Sequence, residues 1–259
     1  MRRFLEIAVK KIRVPLMIDS TDEKVIEMAL TYSQGKALIN SVNLEDGEER
    51  FEKVIPLAQK FGAALVVGTI DDDPVQGMGV SRQRKLEIAE RSFKLLTEKY
   101  GVRPEDIYWD PLVFPCGTGD AQYVGSAVET IEGIRLIKAR FPQTKTVLGI
   151  SNVSFGLPNN GREVLNSVFL YHCVQAGLDL AIVNSEKLER YASISEEEKK
   201  VAEDLLFVRG EDPVAAFAAH FRNRVKTAKI DAAKLPLMER LPRYIIEGSK
   251  DGLDEDLNE

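Results

Sequence analysis

The sequence predicts an α/β fold built as a closed barrel of strand–helix units. Short apolar runs alternate strictly with longer amphipathic stretches, which is the pattern of a parallel sheet covered by helices. The spacing between successive runs, roughly 20 to 40 residues, suits right-handed crossovers. Each run also ends in a polar residue. A closed barrel gathers all its strand ends at one mouth, whereas a doubly wound sheet gathers only those at its switch point.

Six apolar runs are predicted as the strands of this sheet. They are short and mostly apolar, as expected for strands buried on both faces. The predicted strands cover residues 15–19, 37–40, 63–70, 107–110, 146–151 and 178–184. A barrel of this class has eight strands, so we expect that the chain lacks two strand–helix units.

The helices are predicted from their caps and apolar faces. Ser20 or Thr21 can cap the helix that follows the first strand, and Gly35 can end it. The remaining helices are recognised by apolar residues that recur every three or four positions. The predicted helices besides this one cover residues 1–12, 47–60, 81–100, 125–141, 162–176, 196–208, 212–227 and 238–256.

Composition excludes several classes of protein. A net charge of −6 and a pI near 5.3 give no basic footprint for nucleic acid. Two cysteines, Cys116 and Cys173, cannot form a disulfide framework and indicate a reducing compartment, so a cytoplasmic location is expected. With only two histidines and no Cys-x-x-Cys, a protein-bound zinc or iron site is not expected. No apolar run is long enough to cross a membrane, and the amino terminus does not resemble a signal peptide.

Six polar residues at the strand ends are the candidate functional residues. We call them the strand-end set: Asp19, Asn40, Asp71, Asp110, Asn152 and Asn184. The set contains no Cys, His or Lys, so it is poorly suited to covalent catalysis. Its carboxylates could bind Mg²⁺, which prefers oxygen ligands. They could equally recognise a flat heterocycle, because Asp accepts two adjacent N–H donors and Asn supplies a donor and an acceptor.

Each of these residues also has a structural interpretation. Asp19 and Asp110 could be ordinary caps or turn formers. The consecutive acids Asp71, Asp72 and Asp73 are expected to be mostly solvated loop charges. Arg162, which follows Gly161 at a predicted helix start, is more often a surface residue than a ligand clamp.

Several strand–loop junctions resemble the pterin-binding barrel of cobalamin-dependent methionine synthases. The most specific is the block Ser-Asn-Val-Ser-Phe at residues 151–155. The other matching stretches are 16–20, 35–41, 110–111, 168–172 and 180–184. The resemblance implies a (β/α)8 TIM barrel of the pterin-binding type, without its first two strand–helix units, over residues 1–228. Residues 240–256 resemble the first helix of a corrinoid module's cap, which implies a linker and a helical tail over 229–259.

The resemblance also implies an activity and a partner. The chain would bind 5-methyltetrahydrofolate as substrate and support transfer of its N5 methyl group to cob(I)alamin, the cofactor held by a corrinoid-binding partner module. Carried over by position, Asp19, Asn40, Asp110 and Asn152 would hold the pterin. Asn152 would also act in catalysis near N5, and Arg162 would meet the aminobenzoyl or glutamate part.

Three other readings are considered. A methyltetrahydrofolate methyltransferase that acts on a corrinoid/iron–sulfur protein would share the strand-end set but would lack the cap-like tail. A non-catalytic folate-binding fragment is the second. Dihydropteroate synthases have a related barrel but carry a Ser-Arg-Lys-like segment where this chain has Ser151, Asn152 and Val153.

Overall fold

Six parallel strands form one sheet in the computed structural model, which describes residues 1–222, 236–247 and 252–258. The strands are β1 (Met17–Asp19), β2 (Leu38–Leu44), β3 (Ala64–Asp71), β4 (Ile107–Asp110), β5 (Lys145–Gly149) and β6 (Leu180–Ile182). They lie side by side in sequence order, each paired with the next. A doubly wound sheet reverses its strand order, and this sheet does not. The predicted parallel sheet is confirmed, and its winding is that of a barrel.

The sheet is a curled half-barrel rather than a closed one. Within the described residues, β1 and β6 are its edges and pair on one side only. The edge strands are also the shortest, with three residues each. Closure, the feature that the polar strand ends predicted, is therefore not seen within the described part of the chain.

Helices cover the outer face and follow the predicted order. They are α1 (Arg2–Ala8), α2 (Glu23–Tyr32), α3 (Glu49–Phe61), α4 (Arg82–Lys94), α5 (Ser126–Arg140), α6 (Asn159–Ala176), α7 (Glu196–Leu206), α8 (Pro213–Arg222), α9 (Leu237–Glu247) and α10 (Leu253–Asn258). Asp22, not Ser20 or Thr21, caps α2, because its Oδ1 accepts from the amides of Lys24 and Val25 at 2.8 and 3.3 Å. A single π-helical turn, Leu95–Lys99, continues α4.

The carboxyl-terminal predictions are only partly covered by the structure. The single helix predicted over 238–256 is two helices, α9 and α10, which Tyr244 joins by donating to Asp256 Oδ2 at 2.7 Å. The end of the helix predicted to reach 227, and the start of the linker predicted from 229, lie outside the described residues. No helix in the described ranges is long and apolar enough to span a membrane.

Two apolar clusters hold the helices on the sheet. One lies between β1–β4 and the helices α2–α4 and is built around side chains such as Ile39, Phe51 and Trp109. The other surrounds β5, α6 and α8 and includes Phe169 and Phe217. A fully buried side chain of this size contributes about 1.5–3 kcal/mol, so both clusters fix the strand ends that carry the polar set.

Candidate functional site

The strand pairing places members of the strand-end set side by side. Asp19 of β1 is the register partner of Asn40 of β2, and neighbouring parallel strands lie about 4.8 Å apart. Asp110 of β4 is the partner of Gly68 of β3. Gly68 contributes no side chain there, and the nearest side chains to its position are those of Asn43 and Ile70. The structure therefore brings Asp19 and Asn40 together and places Asp110 beside a glycine of the neighbouring strand.

Asp110 lies deep at the centre of the sheet. Its Oδ1 accepts the backbone N–H of Leu112 at 2.9 Å. Burial raises the pKa of Asp110 to about 6, although the hydrogen bond from Leu112 and the charge of Lys85 act in the opposite direction. Asp110 therefore does act as a turn former through its hydrogen bond with Leu112. The burial that raises its pKa distinguishes it from an ordinary turn residue.

Lys85 is a residue that the sequence interpretation missed. It sits on α4 with its side chain fully buried, and its Nζ donates to the carbonyl oxygens of Gly79 at 2.7 Å and Pro111 at 2.5 Å. Burial lowers the pKa of Lys85 to about 7, and the charges of Asp110 and Glu129 oppose that shift. The only signal in the sequence was its position on the inward face of an amphipathic helix.

Asp19 and Asn40 line a cavity of about 340 Å³ at the first two strand ends. Arg50 of α3 closes its base by binding carbonyl oxygens of both adjoining loops. Its guanidinium donates to Thr21 O at 2.6 Å, Ser20 O at 3.0 Å and Ser41 O at 3.3 Å. Arg50 therefore keeps the ends of β1 and β2 at a fixed separation.

Asn152 lies in a 3₁₀ turn, Ile150–Ser154, that directly follows β5. Its side chain is exposed. The turn is tied to the loop after β4, because Cys116 N donates to Val153 O at 3.0 Å and Gly117 packs against Leu157. This loop contact connects the turn of Asn152 to the loop that follows Asp110.

Arg162 is half-buried at the start of α6, and its Nε donates to Ser154 Oγ at 3.1 Å. Gly161 allows this geometry: a Cβ there would lie 2.7 Å from Phe217 and 2.8 Å from Phe221, which pack across the helix start from α8. Arg162 lines a second cavity of about 450 Å³ together with Asn184. Arg162 is therefore a half-buried residue at a cavity wall, held in place by its hydrogen bond to Ser154.

The remaining two members of the strand-end set, Asp71 and Asn184, are held by other groups of the protein. Asp71 is only 5% exposed and accepts from Arg84 at 2.6 Å and Arg91 at 3.2 Å, so it is not the solvated loop charge that was expected. Asp72 and Asp73 are exposed, as predicted. Asn184 Oδ1 accepts the backbone N–H of Glu186 at 3.1 Å and forms a turn.

The arrangement suits recognition of a flat polar ligand more than covalent chemistry. Acceptors and amides lie at successive strand ends, and one of them, Asp110, is a buried carboxyl group. Among the described residues, no three His, Cys, Asp or Glu side chains lie close enough together to hold a metal ion. A carboxylate at a strand end can accept two adjacent N–H donors from the edge of a heterocycle.

Comparison with known proteins adds the family. Residues 1–184 match the model of the pterin binding enzyme family. The chain belongs to the pterin-binding enzymes. It is 41% identical over 257 residues to a methionine synthase of Mycobacterium leprae and 42% identical to that of Mycobacterium tuberculosis. Each match covers 95% of this chain and 21% of the relative, so the chain spans about a fifth of their length.

Among solved structures, the chain is similar to a dihydropteroate synthase from Coxiella burnetii in complex with pteroic acid. The TM-score is 0.51 over 80% of this chain and 72% of that chain, at 15% sequence identity. At that identity the likeness concerns the fold. It supports a pterin-binding barrel architecture for the six strands.

Proposed function

We propose that this chain is the methyltetrahydrofolate-binding part of a methionine synthase and supports transfer of the N5 methyl group to cob(I)alamin. The observation that carries the proposal is the 41–42% identity to two methionine synthases over nearly the whole chain, on a family fold whose strand ends carry Asp and Asn. The half-barrel would be completed by two further strand–helix units beyond the edges β1 and β6.

In this proposal the pterin edge lies across the strand ends. Asp110 accepts the adjacent N–H donors of the pterin, and its burial strengthens these hydrogen bonds because water competes poorly there. Asp19 and Asn40, paired in register, add an acceptor and an amide. Asn152 completes the set from the turn after β5.

The methyl group leaves N5 readily only when N5 is protonated, because a neutral amine is then the leaving group. The amide oxygen of Asn152 would hold that proton by accepting a hydrogen bond from N5–H, and this interaction strengthens as the positive charge develops. Arg162 would bind the aminobenzoyl or glutamate part through its guanidinium. The protein thus contributes orientation of the pterin and stabilisation of the protonated nitrogen.

Cob(I)alamin, carried by a partner corrinoid module, would supply the nucleophile. The described residues of this chain fit the role of substrate holder rather than cofactor holder. Both histidines lie on helices behind the sheet, where His172 contacts Glu203 at 3.0 Å and His220 packs on Phe221. Residues 1–228 would form the barrel domain in the cytoplasm, and 229–259 would lead into the cap of the corrinoid module.

Two alternative functions remain in view. A methyltransferase for a corrinoid/iron–sulfur protein would use the same residues with a different partner, and the likeness to methionine synthases over 95% of the chain favours the first proposal. A folate-binding fragment without catalysis would bind the substrate and transfer nothing.

Methyl transfer itself tests the proposal. The chain would be incubated with methyltetrahydrofolate and chemically reduced cob(I)alamin, and alkylation of cobalt would be followed by absorbance. We expect methyl transfer by the wild-type chain. The variant Asp204→Asn should be equally active, because Asp204 lies on α7, outside the strand-end set, where it pairs with Lys200. Binding without transfer would indicate the non-catalytic alternative, and neither binding nor transfer would reject the proposed function.

A further inference from the structure

Lys85 occupies a position that the proposed chemistry does not explain. It is a lysine with no exposed surface, which is rare unless the charge has partners. Its partners are backbone carbonyls of two loops, the one after β3 (residues 72–81) and the one after β4 (residues 111–125). The Nζ binds Gly79 in the first loop and Pro111 in the second, and lies 3.4 Å from Leu112 O.

The surroundings are shaped to hold this side chain. A Cβ at Gly133 of α5 would lie 2.7 Å from Lys85 Cδ, so the absence of a side chain there makes room for the lysine. The ring of Phe114 faces the ammonium at 5.1 Å from its centroid. These contacts come from α5 and from the second loop, so Lys85 is enclosed by elements on either side of β4.

Leu112 links this lysine to Asp110. Its φ of +62° lies in the left-handed region, which is unfavourable for a residue with a side chain. Three hydrogen bonds hold it there: its N–H donates to Asp110 Oδ1, and its carbonyl accepts from Thr130 Oγ1 at 2.8 Å and from Lys85. The lysine thus helps to fix the backbone group that orients the Asp110 carboxyl.

The charges around the pair are few. Glu129 of α5 acts on Lys85, but Arg82 of α4 binds Glu129 with its Nη2 at 2.6 Å and its backbone N–H at 2.6 Å. Since Glu129 is already paired with Arg82, the negative charge that Lys85 chiefly compensates is that of Asp110. Without the ammonium, ionisation of a carboxyl group at this depth would be opposed by burial with little compensation.

We propose that Lys85 is a positioning residue that keeps Asp110 ionised and correctly oriented to accept the N–H donors of the pterin. The proposal rests on the assignment of Asp110 as a pterin ligand under the proposed function. Lys85 touches no substrate. It acts through the backbone of Pro111 and Leu112 and through its charge.

The test is the titration of Asp110, followed by carbon-13 NMR of aspartate carboxyl groups, with Asp110→Asn to identify its signal. In Lys85→Met, which keeps the length of the side chain and removes the charge, we expect the pKa of Asp110 to rise by about one unit or more. Arg50→Met is the control, since it removes a half-buried cation that also binds backbone carbonyls, but at the ends of β1 and β2. It should leave the Asp110 titration unchanged.

Binding gives a second readout that a purely structural role would not produce. At pH 6.5, Lys85→Met should bind methyltetrahydrofolate about threefold more weakly than wild type, as expected for a one-unit rise in the pKa of an acceptor whose pKa in wild type is about 6. The two proteins should converge at pH 8.5, where Asp110 is ionised in both. A loss of affinity that is equal at both pH values would overturn the charge role.

A variant that retains the lysine covers the case in which Lys85→Met does not fold. Gly133→Ala displaces the ammonium by crowding its Cδ and should raise the pKa of Asp110 in the same direction. If Asp110 titrates as in wild type in whichever variant folds, the proposal is wrong. If the wild-type chain binds no methyltetrahydrofolate, the proposed function fails, while the NMR titration still decides whether Lys85 controls Asp110.

Discussion

Polar residues at the strand ends have different surroundings at the centre of the sheet and at its two edges. At the centre, Asp71 is buried and Asp110 is half-buried, and both are held by cations or backbone amides. At the edges, Asp19 and Asn184 are exposed. Central positions are enclosed by helices and loops on both sides, whereas edge positions have a neighbour on one side only. The protein fixes its central strand ends before any ligand arrives, and the edge residues depend more on the ligand for their order.

Removal of the carboxylate at the centre of the sheet is expected to have the largest effect on ligand binding. Asp110→Ala should weaken methyltetrahydrofolate binding by about 100-fold or more, because losing a buried charged acceptor leaves two ligand N–H donors unpaired. Asp19→Ala, at the exposed edge, should cost about tenfold or less. Isothermal titration calorimetry would measure both, and equal losses would mean that burial does not distinguish the two positions.

Asn152, an exposed residue in the turn after β5, tests whether an exposed residue can matter more for chemistry than for binding. Asn152→Ala should lower methyl transfer by about 10- to 100-fold, the value of one hydrogen bond to a developing charge, while the dissociation constant changes by less than about threefold. Single-turnover transfer and calorimetry would be compared on the same protein. A parallel fall in both would make Asn152 a binding residue only.

Arg162 lines only one of the two cavities, so its removal should affect only one part of the ligand. Arg162→Ala should weaken binding of methyltetrahydrofolate by about tenfold, through loss of a charge-assisted hydrogen bond. Binding of a pterin that lacks the aminobenzoylglutamate tail should stay the same, because Arg162 lines the cavity of Asn184 and not that of Asp19 and Asn40. Weakened binding of both ligands would place Arg162 at the pterin instead.

A stability measurement tests whether the ionised carboxyl group of Asp110 lowers the free energy of unfolding at neutral pH. The folded pKa of Asp110, about 6, lies above the ordinary value of 3.8, so the folded state binds its proton more tightly than the unfolded state. From this group alone, stability is highest below pH 4 and falls as pH rises toward 6. Relative to Asp110→Asn, wild type should therefore lose about 1–2 kcal/mol between pH 4.5 and 7.

Chemical denaturation at both pH values would measure this difference. Asp204→Asn serves again as the control, because its carboxylate pairs at the surface with Lys200. A constant gap between wild type and Asp110→Asn across this pH range would show that the carboxyl group is not destabilised by burial.

Periodicity predicted the parallel sheet and most strand ends, with the end of β2 as the exception, because both follow from local patterns of apolar and polar residues. It could not show that β2 continues to Leu44, since Asn40, Ser41 and Asn43 look like a loop. Shifts of register between β2 and β3 accommodate these polar residues within the strand. A run of polar residues ends a strand in the sequence pattern, but pairing with a neighbour can continue it.

Buried charges were the other failure of prediction. Lys85 was not predicted as a candidate residue, and Asp71 was placed among acids expected to be mostly solvated. Their partners lie elsewhere in the chain, Pro111 for Lys85 and both Arg84 and Arg91 for Asp71. Trp109 and Asp110 are the reverse situation, because they are neighbours in the sequence but lie apart in the fold. It precedes Asp110 but packs with Phe141 toward the helices, since neighbouring residues of a strand point to opposite faces. Only the tertiary structure separates such neighbours.

The most direct measurement is calorimetric titration of the wild-type chain with methyltetrahydrofolate, beside aminobenzoylglutamate, which has the tail without the pterin. If the strand ends recognise the pterin edge, the first ligand should bind saturably with one site per chain and the second should bind far more weakly. Equal binding of the two ligands, or no heat from methyltetrahydrofolate with a chain shown to be folded by circular dichroism, would contradict the assignment of Asp19, Asn40, Asp110 and Asn152 as pterin ligands.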